Sequence, residues 1–268
     1  MEFHSILIVG CGNMAGAMLQ GWLAAGLAPA RFTVADPAAR ELPDGVRHFA
    51  AVPESAAFDA ILLGIKPQLL AQVAPSVAPL AGSDTVLLSI LAGVELAVLR
   101  EHFPQAGGLI RLMPNLSAAL GKSPIALAAD GLDAPGRDAA FDLLAPLGTP
   151  EWIAEDAFDL VTALAGSGPA FVYRFIDSLA QAAARLGLPD EEARRLALAT
   201  VDGAAALAAV SPHDPGELAR RVASPGGVTQ AGLDALDDGD ALVALVERTL
   251  RAARDRSAEM AAEARRHG

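Results

Sequence analysis

The feature that most limits how this chain can fold is an unbroken apolar run followed at once by glycines. Ile6-Leu7-Ile8-Val9 leads directly into Gly10-Cys11-Gly12-Asn13-Met14-Ala15-Gly16. An apolar run without polar alternation suits a strand buried on both faces, which calls for a parallel sheet covered by helices on each side. Met14, Met18, Leu19, Trp22 and Leu23 then recur at helical spacing. A strand, a tight glycine turn and a helix in this order make the G-x-G-x-x-G/A pattern. Gly10 makes the turn, Gly12 lets a pyrophosphate approach the backbone, and small Ala15 allows the helix close to the sheet. The N–H groups around Asn13 and Met14, at the positive end of the helix dipole, would hold the anion. A dinucleotide site is expected here.

The second strand is expected over Arg31-Phe32-Thr33-Val34-Ala35, ending at Asp36. A carboxylate at this place accepts hydrogen bonds from the adenosine ribose and favours NAD, whereas a 2′-phosphate favours Ser, Thr or Arg. Arg40 is near enough to leave the cofactor open between NADP(H) and NAD(H). Asp36 also reads as a cap of the turn before Pro37. Strand-like 60–65, helical 67–80, strand-like 85–89, helical 94–101 and strand-like 108–112 follow in alternation. A strand pair near 124–128 and 149–153, flanking a helix over 134–145, completes a Rossmann-type domain over residues 1–156. Ligands collect beyond the carboxyl ends of such strands, which places Lys66-Pro67-Gln68, Ala92 in Ser89-Ile90-Leu91-Ala92-Gly93, and Asn115 in Met113-Pro114-Asn115 on the cofactor side.

Composition narrows the partners. A net charge of −12 disfavours nucleic acid and anionic membrane surfaces. Cys11 is the only cysteine, so the chain forms no internal disulfide and no cysteine metal cluster; no metal is expected, and the cytoplasm is the expected compartment. Residues 3–30 are uncharged and end in Ala28-Pro29-Ala30, which loosely imitates a signal peptide. The start lacks a basic segment, and Gly10, Gly12, Gly16, Gly21 and Gly26 interrupt the apolar stretch. The uncharged run 67–83 contains Pro67, Pro75 and Pro79, which argues against a membrane span.

Beyond residue 156 strand patterns give way to helices, so the fold class is α/β followed by an all-helical domain over 157–268. Helices are expected over 168–187, from Pro189, and at about 215–222, 225–237 and 240–265. Such apolar-striped helices with little side-chain volume would bury more against a second copy, so a homodimer or higher oligomer is expected. The helical half is poor in acid/base groups. It offers Tyr173, expected as a packed aromatic, His213, expected as a surface loop residue, and His267. An alcohol dehydrogenase needs a group to move the hydroxyl proton. A substrate that is already a cationic imine does not. Between two helical patterns lies Ala223-Ser224-Pro225-Gly226-Gly227-Val228-Thr229-Gln230, which reads either as a helix-linking loop capped by Ser224-Pro225 or as a substrate cradle of hydroxyls and free N–H groups.

Three segments then carry a resemblance. Ala165-Gly166-Ser167-Gly168-Pro169-Ala170, Ser224-Pro225-Gly226-Gly227-Val228-Thr229 and Arg256-Ser257-Ala258-Glu259-Met260 resemble the signature of pyrroline-5-carboxylate reductases. The glycine loop, Lys66-Pro67-Gln68 and Met113-Pro114-Asn115 match the same family, so the resemblance spans essentially the whole chain. It implies reduction of the cyclic imine 1-pyrroline-5-carboxylate to L-proline with NAD(P)H, the family habit favouring NADP(H) where Asp36 alone favours NAD(H), and a helical domain that interlocks in dimers and in larger rings such as decamers. It further implies that Thr229 bonds the ring nitrogen as the catalytic contact, while Ser224 and the N–H groups of Gly226 and Gly227 hold the carboxylate. The chain departs from the pattern at Asn115-Leu116-Ser117, where relatives commonly have Asn-Thr-Pro, and at Ser211-Pro212-His213-Asp214-Pro215, which lacks a glutamate shortly before. The competing readings are a reductase of a related cyclic imine and a non-catalytic NAD(P)-binding regulator. A β-hydroxyacid dehydrogenase is disfavoured because 168–187 contains no lysine.

Overall fold

A computed structural model of the chain describes residues 2–38 and 42–267. Arg40, the candidate neighbour of the ribose, lies outside the described residues. The chain divides into two compact units, Met1–Ser167 with Ala252–Gly268, and Gly168–Arg251.

The first unit is built on an eight-stranded sheet of β1 (Ile6–Val9), β2 (Phe32–Ala35), β3 (Arg47–Phe49), β4 (Ala60–Leu63), β5 (Val86–Ser89), β6 (Gly108–Met113), β7 (Ser123–Asp130) and β8 (Gly148–Trp152). Their order is β3-β2-β1-β4-β5-β6-β7-β8. Ile6 lies opposite Phe32 on one side and Ala60 on the other, both in parallel register. Every residue of β1, β2, β4 and β5 is buried, as their unalternating apolar sequences require. Alternate residues feed two separate cores. Ile6, Ile8, Val34, Leu62 and Leu88 face one, and Leu7, Val9, Ile61, Leu63 and Leu87 the other.

The first face is covered by α1 (Asn13–Ala24) and α4 (Ala134–Leu144), the second by α2 (Leu70–Val77), α3 (Leu96–His102) and α5 (Phe158–Val161). Trp22 of α1 is fully buried, stacks on Phe32 at 5.4 Å between ring centres, and donates its indole N–H to the Leu143 carbonyl at 2.7 Å. That bond satisfies the one polar atom of a side chain that otherwise fills the core.

Three details differ from the sequence expectation. The edge strand β3 is exposed and has no apolar run to announce it; it is held by backbone pairing of Thr33 with Arg47 and its neighbours. The helix expected over 67–80 is broken into a 3-10 turn at Pro67–Leu69, α2 with Pro75 inside it, and a second 3-10 turn at Ala78–Leu80. Prolines remove N–H donors and interrupt the ladder. β7 runs antiparallel to β6, because the segment between them holds only a 3-10 turn, Leu116–Leu120, in place of a crossover helix.

The second unit contains α6 (Gly168–Arg185), α7 (Asp190–Val210), α8 (Pro215–Val222), α9 (Val228–Asp237) and the start of α10 (Ala241–His267). Among the described residues no strand follows Trp152. Asp190, Glu191 and Glu192 fill the first turn of α7, where negative charge suits the helix dipole. Asp214 caps α8 by accepting from the Glu217 N–H at 2.8 Å. The helix expected from 225 begins instead at Val228, because Gly226 adopts φ +69° and Gly227 is extended. Of this unit's described residues only Ala180, Ala193 and Ala197 are buried, while Val172, Phe175, Leu196 and Leu207 are exposed. Tyr173, expected to pack, is 68% exposed. No single helix among the described residues is long and apolar enough to cross a membrane.

Candidate active site

The strand order reverses between β1 and β4, and the glycine loop stands at the carboxyl end of β1, beside this switch point. Gly10 holds φ +83° and donates its N–H to the Ala35 carbonyl at 2.9 Å. A Cβ there would lie 2.8 Å from the Ile65 side chain. Gly12, the N-cap of α1, has open space where its Cβ would be, and no side chain caps the helix. The first-turn N–H groups of Asn13, Met14 and Ala15 therefore begin an uncapped helix, the arrangement that binds phosphate. Close packing by Ala15 has a specific partner that the sequence reading missed. Gly64, after β4, would clash with the Ala15 methyl at 2.8 Å and with the Gly10 carbonyl if it carried a Cβ.

Asp36 does two things at once. Its carboxylate accepts from the Cys11 N–H at 2.6 Å and from the Ala38 N–H at 2.8 Å. The turn-capping role is thus realised, and the same side chain also ties the glycine loop to the end of β2. The residue also lines a cleft of about 860 Å³ together with Cys11, Gly12, Asn13, Gly16 and Leu116. That volume and the uncapped helix start fit a dinucleotide. Burial pushes the Cys11 thiol above its ordinary range, and the Asp36 charge pushes it further the same way.

The other expected cofactor residues lie on loops at the same edge. Lys66 is exposed and starts the 3-10 turn in which Pro67 is the first residue. Ala92 is half-buried in the loop after β5, between buried Leu91 and Gly93. Asn115 is 6% exposed and fully engaged. Its backbone N–H donates to the Ser123 hydroxyl at 2.9 Å, its amide N–H to the Ala165 carbonyl at 2.9 Å, and its side-chain oxygen accepts from the Ser117 N–H at 3.0 Å and from the Ser117 hydroxyl. The departure at 116–117 therefore has a local rationale. Ser117 supplies an N–H and a hydroxyl to Asn115, where a proline could supply neither. Leu116 stands 58% exposed at the cleft rim.

In the second unit, residues 223–230 form a turn leading into α9. The Gly227 N–H donates to the Ser224 carbonyl at 2.9 Å, so this donor, expected to face a carboxylate, closes the turn. A Cβ on Gly227 would run into the Ser224 hydroxyl. The expected cap by Ser224-Pro225 does not form; Gly227 is the N-cap and no side chain caps α9. The N–H groups of Val228, Thr229 and Gln230 thus open the helix, a set of donors the sequence reading placed two residues too early. Ser224 and Thr229 are exposed, and the Gln230 amide is bonded to Asp234 at 2.7 Å.

Two family models match the chain. Residues 155–260 match the family described as pyrroline-5-carboxylate reductase dimerisation, and residues 5–93 that described as NADP oxidoreductase, coenzyme F420-dependent. A pyrroline-5-carboxylate reductase of Pseudomonas aeruginosa is 36% identical over 97% of this chain and 98% of its own length. The solved structure of a pyrroline-5-carboxylate reductase from Coxiella burnetii has a TM-score of 0.87 at 28% identity, covering 96% of this chain and 98% of that one. The Plasmodium falciparum pyrroline carboxylate reductase, solved with NADP bound, shares the fold with a TM-score of 0.82 at 24% identity, over 97% of this chain and 99% of that one.

Proposed function

The chain belongs to the pyrroline-5-carboxylate reductase family, and we propose that it reduces 1-pyrroline-5-carboxylate to L-proline with NAD(P)H. The observation that carries this reading is the uncapped start of α9, with the exposed Thr229 hydroxyl in its first turn. A carboxylate suits the N–H groups and dipole of that turn, and an iminium N–H suits a neutral hydroxyl acceptor.

In this reading a dinucleotide-binding domain over 1–156 precedes a substrate and dimerisation domain over 157–268. Gly10, Gly12, Asn13, Met14 and Ala15 present backbone to the pyrophosphate, and Asp36 meets the adenosine ribose. Lys66, Pro67 and Ala92 line the cofactor, and Asn115 shapes the loop beside it. Ser224, Gly226 and Gly227 form the turn of the cradle, and the first-turn N–H groups of α9 join them on the carboxylate. When bound, the cofactor supplies the hydride. Thr229 holds the ring nitrogen so that the C=N carbon keeps one orientation as the electron pair of that bond moves onto nitrogen. No side chain need remove a proton, since the imine arrives protonated, and the rate comes from alignment.

The exposed apolar residues of the second unit are the surface of a homodimer, and a ring of dimers such as a decamer is the larger assembly we propose. The single cysteine fits a reducing cytoplasmic setting. The test is NADPH or NADH oxidation dependent on pyrroline-5-carboxylate, run beside the six-membered cyclic imine carboxylate. Turnover with the five-membered ring at the higher kcat/KM is expected. Preference for the larger ring would assign a related imine, and no turnover with either cofactor would assign a binding protein. A sedimentation run showing only monomer at micromolar concentration would remove the dimer.

A further inference from the structure

The C-terminal turns of α10 belong to the first unit, and two of their contacts within it bear on the loop after β5. The Ser257 hydroxyl, 8% exposed, donates to the Asp159 carboxylate of α5 at 2.7 Å. One turn later Ala261, 3% exposed, lies against the loop after β5. A Cβ on Gly93 would sit 3.1 Å from the Ala261 nitrogen and 3.3 Å from its Cα, so the helix backbone approaches as closely as it does because Gly93 has no side chain. Ser257 and Ala261 are four residues apart and share one helix face.

The loop is held from the other side as well. Leu91 and Val94 are 1% and 2% exposed and belong to the second sheet core, and the Val94 N–H closes back onto the Leu91 carbonyl at 3.3 Å. Gly93, at φ +75°, is the point where the segment turns. Ala92, the residue assigned above to the cofactor, is therefore fixed between a core anchor beneath and the end of α10 above.

We propose that the last turns of α10 are a latch that positions the Ala92-Gly93 loop for the dinucleotide, with Ser257 and Asp159 as positioning residues. Neither touches the cofactor. The Ser257–Asp159 bond sets where the helix lies along α5, and the helix in turn sets how far the loop can lift from the sheet. The proposal rests on the dinucleotide reading only for its consequence, and its physical content is testable without ligand.

The variants are Ser257→Ala, Asp159→Ala and Asp159→Asn, the last of which keeps an oxygen acceptor while losing the charge. Hydrogen exchange at Ala92, Gly93 and Val94 is measured in the full chain without ligand, and NADH and NADPH dissociation constants are measured by fluorescence. Both alanine variants are expected to speed exchange at these amides several-fold and to weaken cofactor binding about three- to tenfold, a part of what a hydrogen bond to a charged group is worth. Asp159→Asn is expected to restore both to within about twofold, and the double alanine variant to be no worse than either single one. A melting temperature lowered with exchange and affinity unchanged would make the contact merely structural and overturn the latch. Asp159→Asn behaving like Asp159→Ala would also overturn it. Wild-type turnover of pyrroline-5-carboxylate, followed in parallel, reports on the proposed activity separately from the exchange result.

Discussion

Replacing Thr229 by valine removes one hydroxyl and keeps the branched shape. The residue is exposed, lies in the first turn of α9, and is in a helix whose cap is Gly227, so no packing is lost. Valine and threonine have nearly equal helix propensities. Stability should therefore change by less than about 0.5 kcal/mol, as for an ordinary surface substitution. The loss falls on the ligand. A hydrogen bond to a charged group contributes about 1.5 to 3 kcal/mol, which converts to a fall of roughly 10- to 150-fold in kcat/KM. The assay is steady-state oxidation of NADPH and of NADH against pyrroline-5-carboxylate, with a thermal melt of each variant. Thr229→Ser returns the hydroxyl and should recover most of the activity. Full activity in Thr229→Val would refute the assignment of Thr229 to the ring nitrogen, as would equal losses in the serine and valine variants.

Three further outcomes are expected. Asp36→Asn should raise the NADPH/NADH ratio of kcat/KM by at least about fivefold, since unlike a neutral amide a carboxylate repels a 2′-phosphate by about 1 to 4 kcal/mol at 4 Å, depending on solvent screening. An unchanged ratio would mean that Asp36 serves the loop alone. Gly64→Ala should lower stability by about 1 to 3 kcal/mol through overpacking against Ala15 and Gly10, seen in a denaturant melt, and should weaken cofactor binding as the glycine loop shifts. Alkylation of Cys11, followed by mass spectrometry, should be slower at pH 8 than for a free thiol because its raised pKa keeps it protonated there; the rate should climb only at higher pH, and Asp36→Asn should speed it. Fast alkylation at pH 7 would contradict the direction of that shift.

What the sequence made legible follows from which residues announce themselves by type. Ile6 to Val9 is a run that only a doubly covered strand accommodates, and Gly10, Gly12 and Ala15 each have a steric reason to be small, so the first strand, turn and helix could be read residue by residue. Gly64 has the same kind of reason, but it lies 54 residues from Gly10 and its partner is visible only once β1 and β4 are side by side. The edge strand β3 escaped because Arg47-His48-Phe49 has no buried face, and pairing to β2 through the backbone leaves no trace in side-chain pattern. At the cradle, the residue types were informative and the donors were not. Gly226 and Gly227 looked like exposed N–H groups, yet the turn needs the Gly227 N–H for Ser224, and the open donors are those of Val228, Thr229 and Gln230. The place of Asn115 after β6 points to a ligand contact, whereas its side-chain oxygen and amide are both engaged within the unit.

The three buried alanines of the second unit make protein concentration a variable of the enzyme's own architecture. The first unit has two cores of large side chains and should hold its glycine loop by itself, whereas a helical unit whose buried described residues are alanines should draw stability from association. Dilution should therefore separate two abilities that heating would destroy together. NAD(P)H binding should survive into the nanomolar range, while helical signal and pyrroline-5-carboxylate turnover fall with a midpoint that moves with protein concentration.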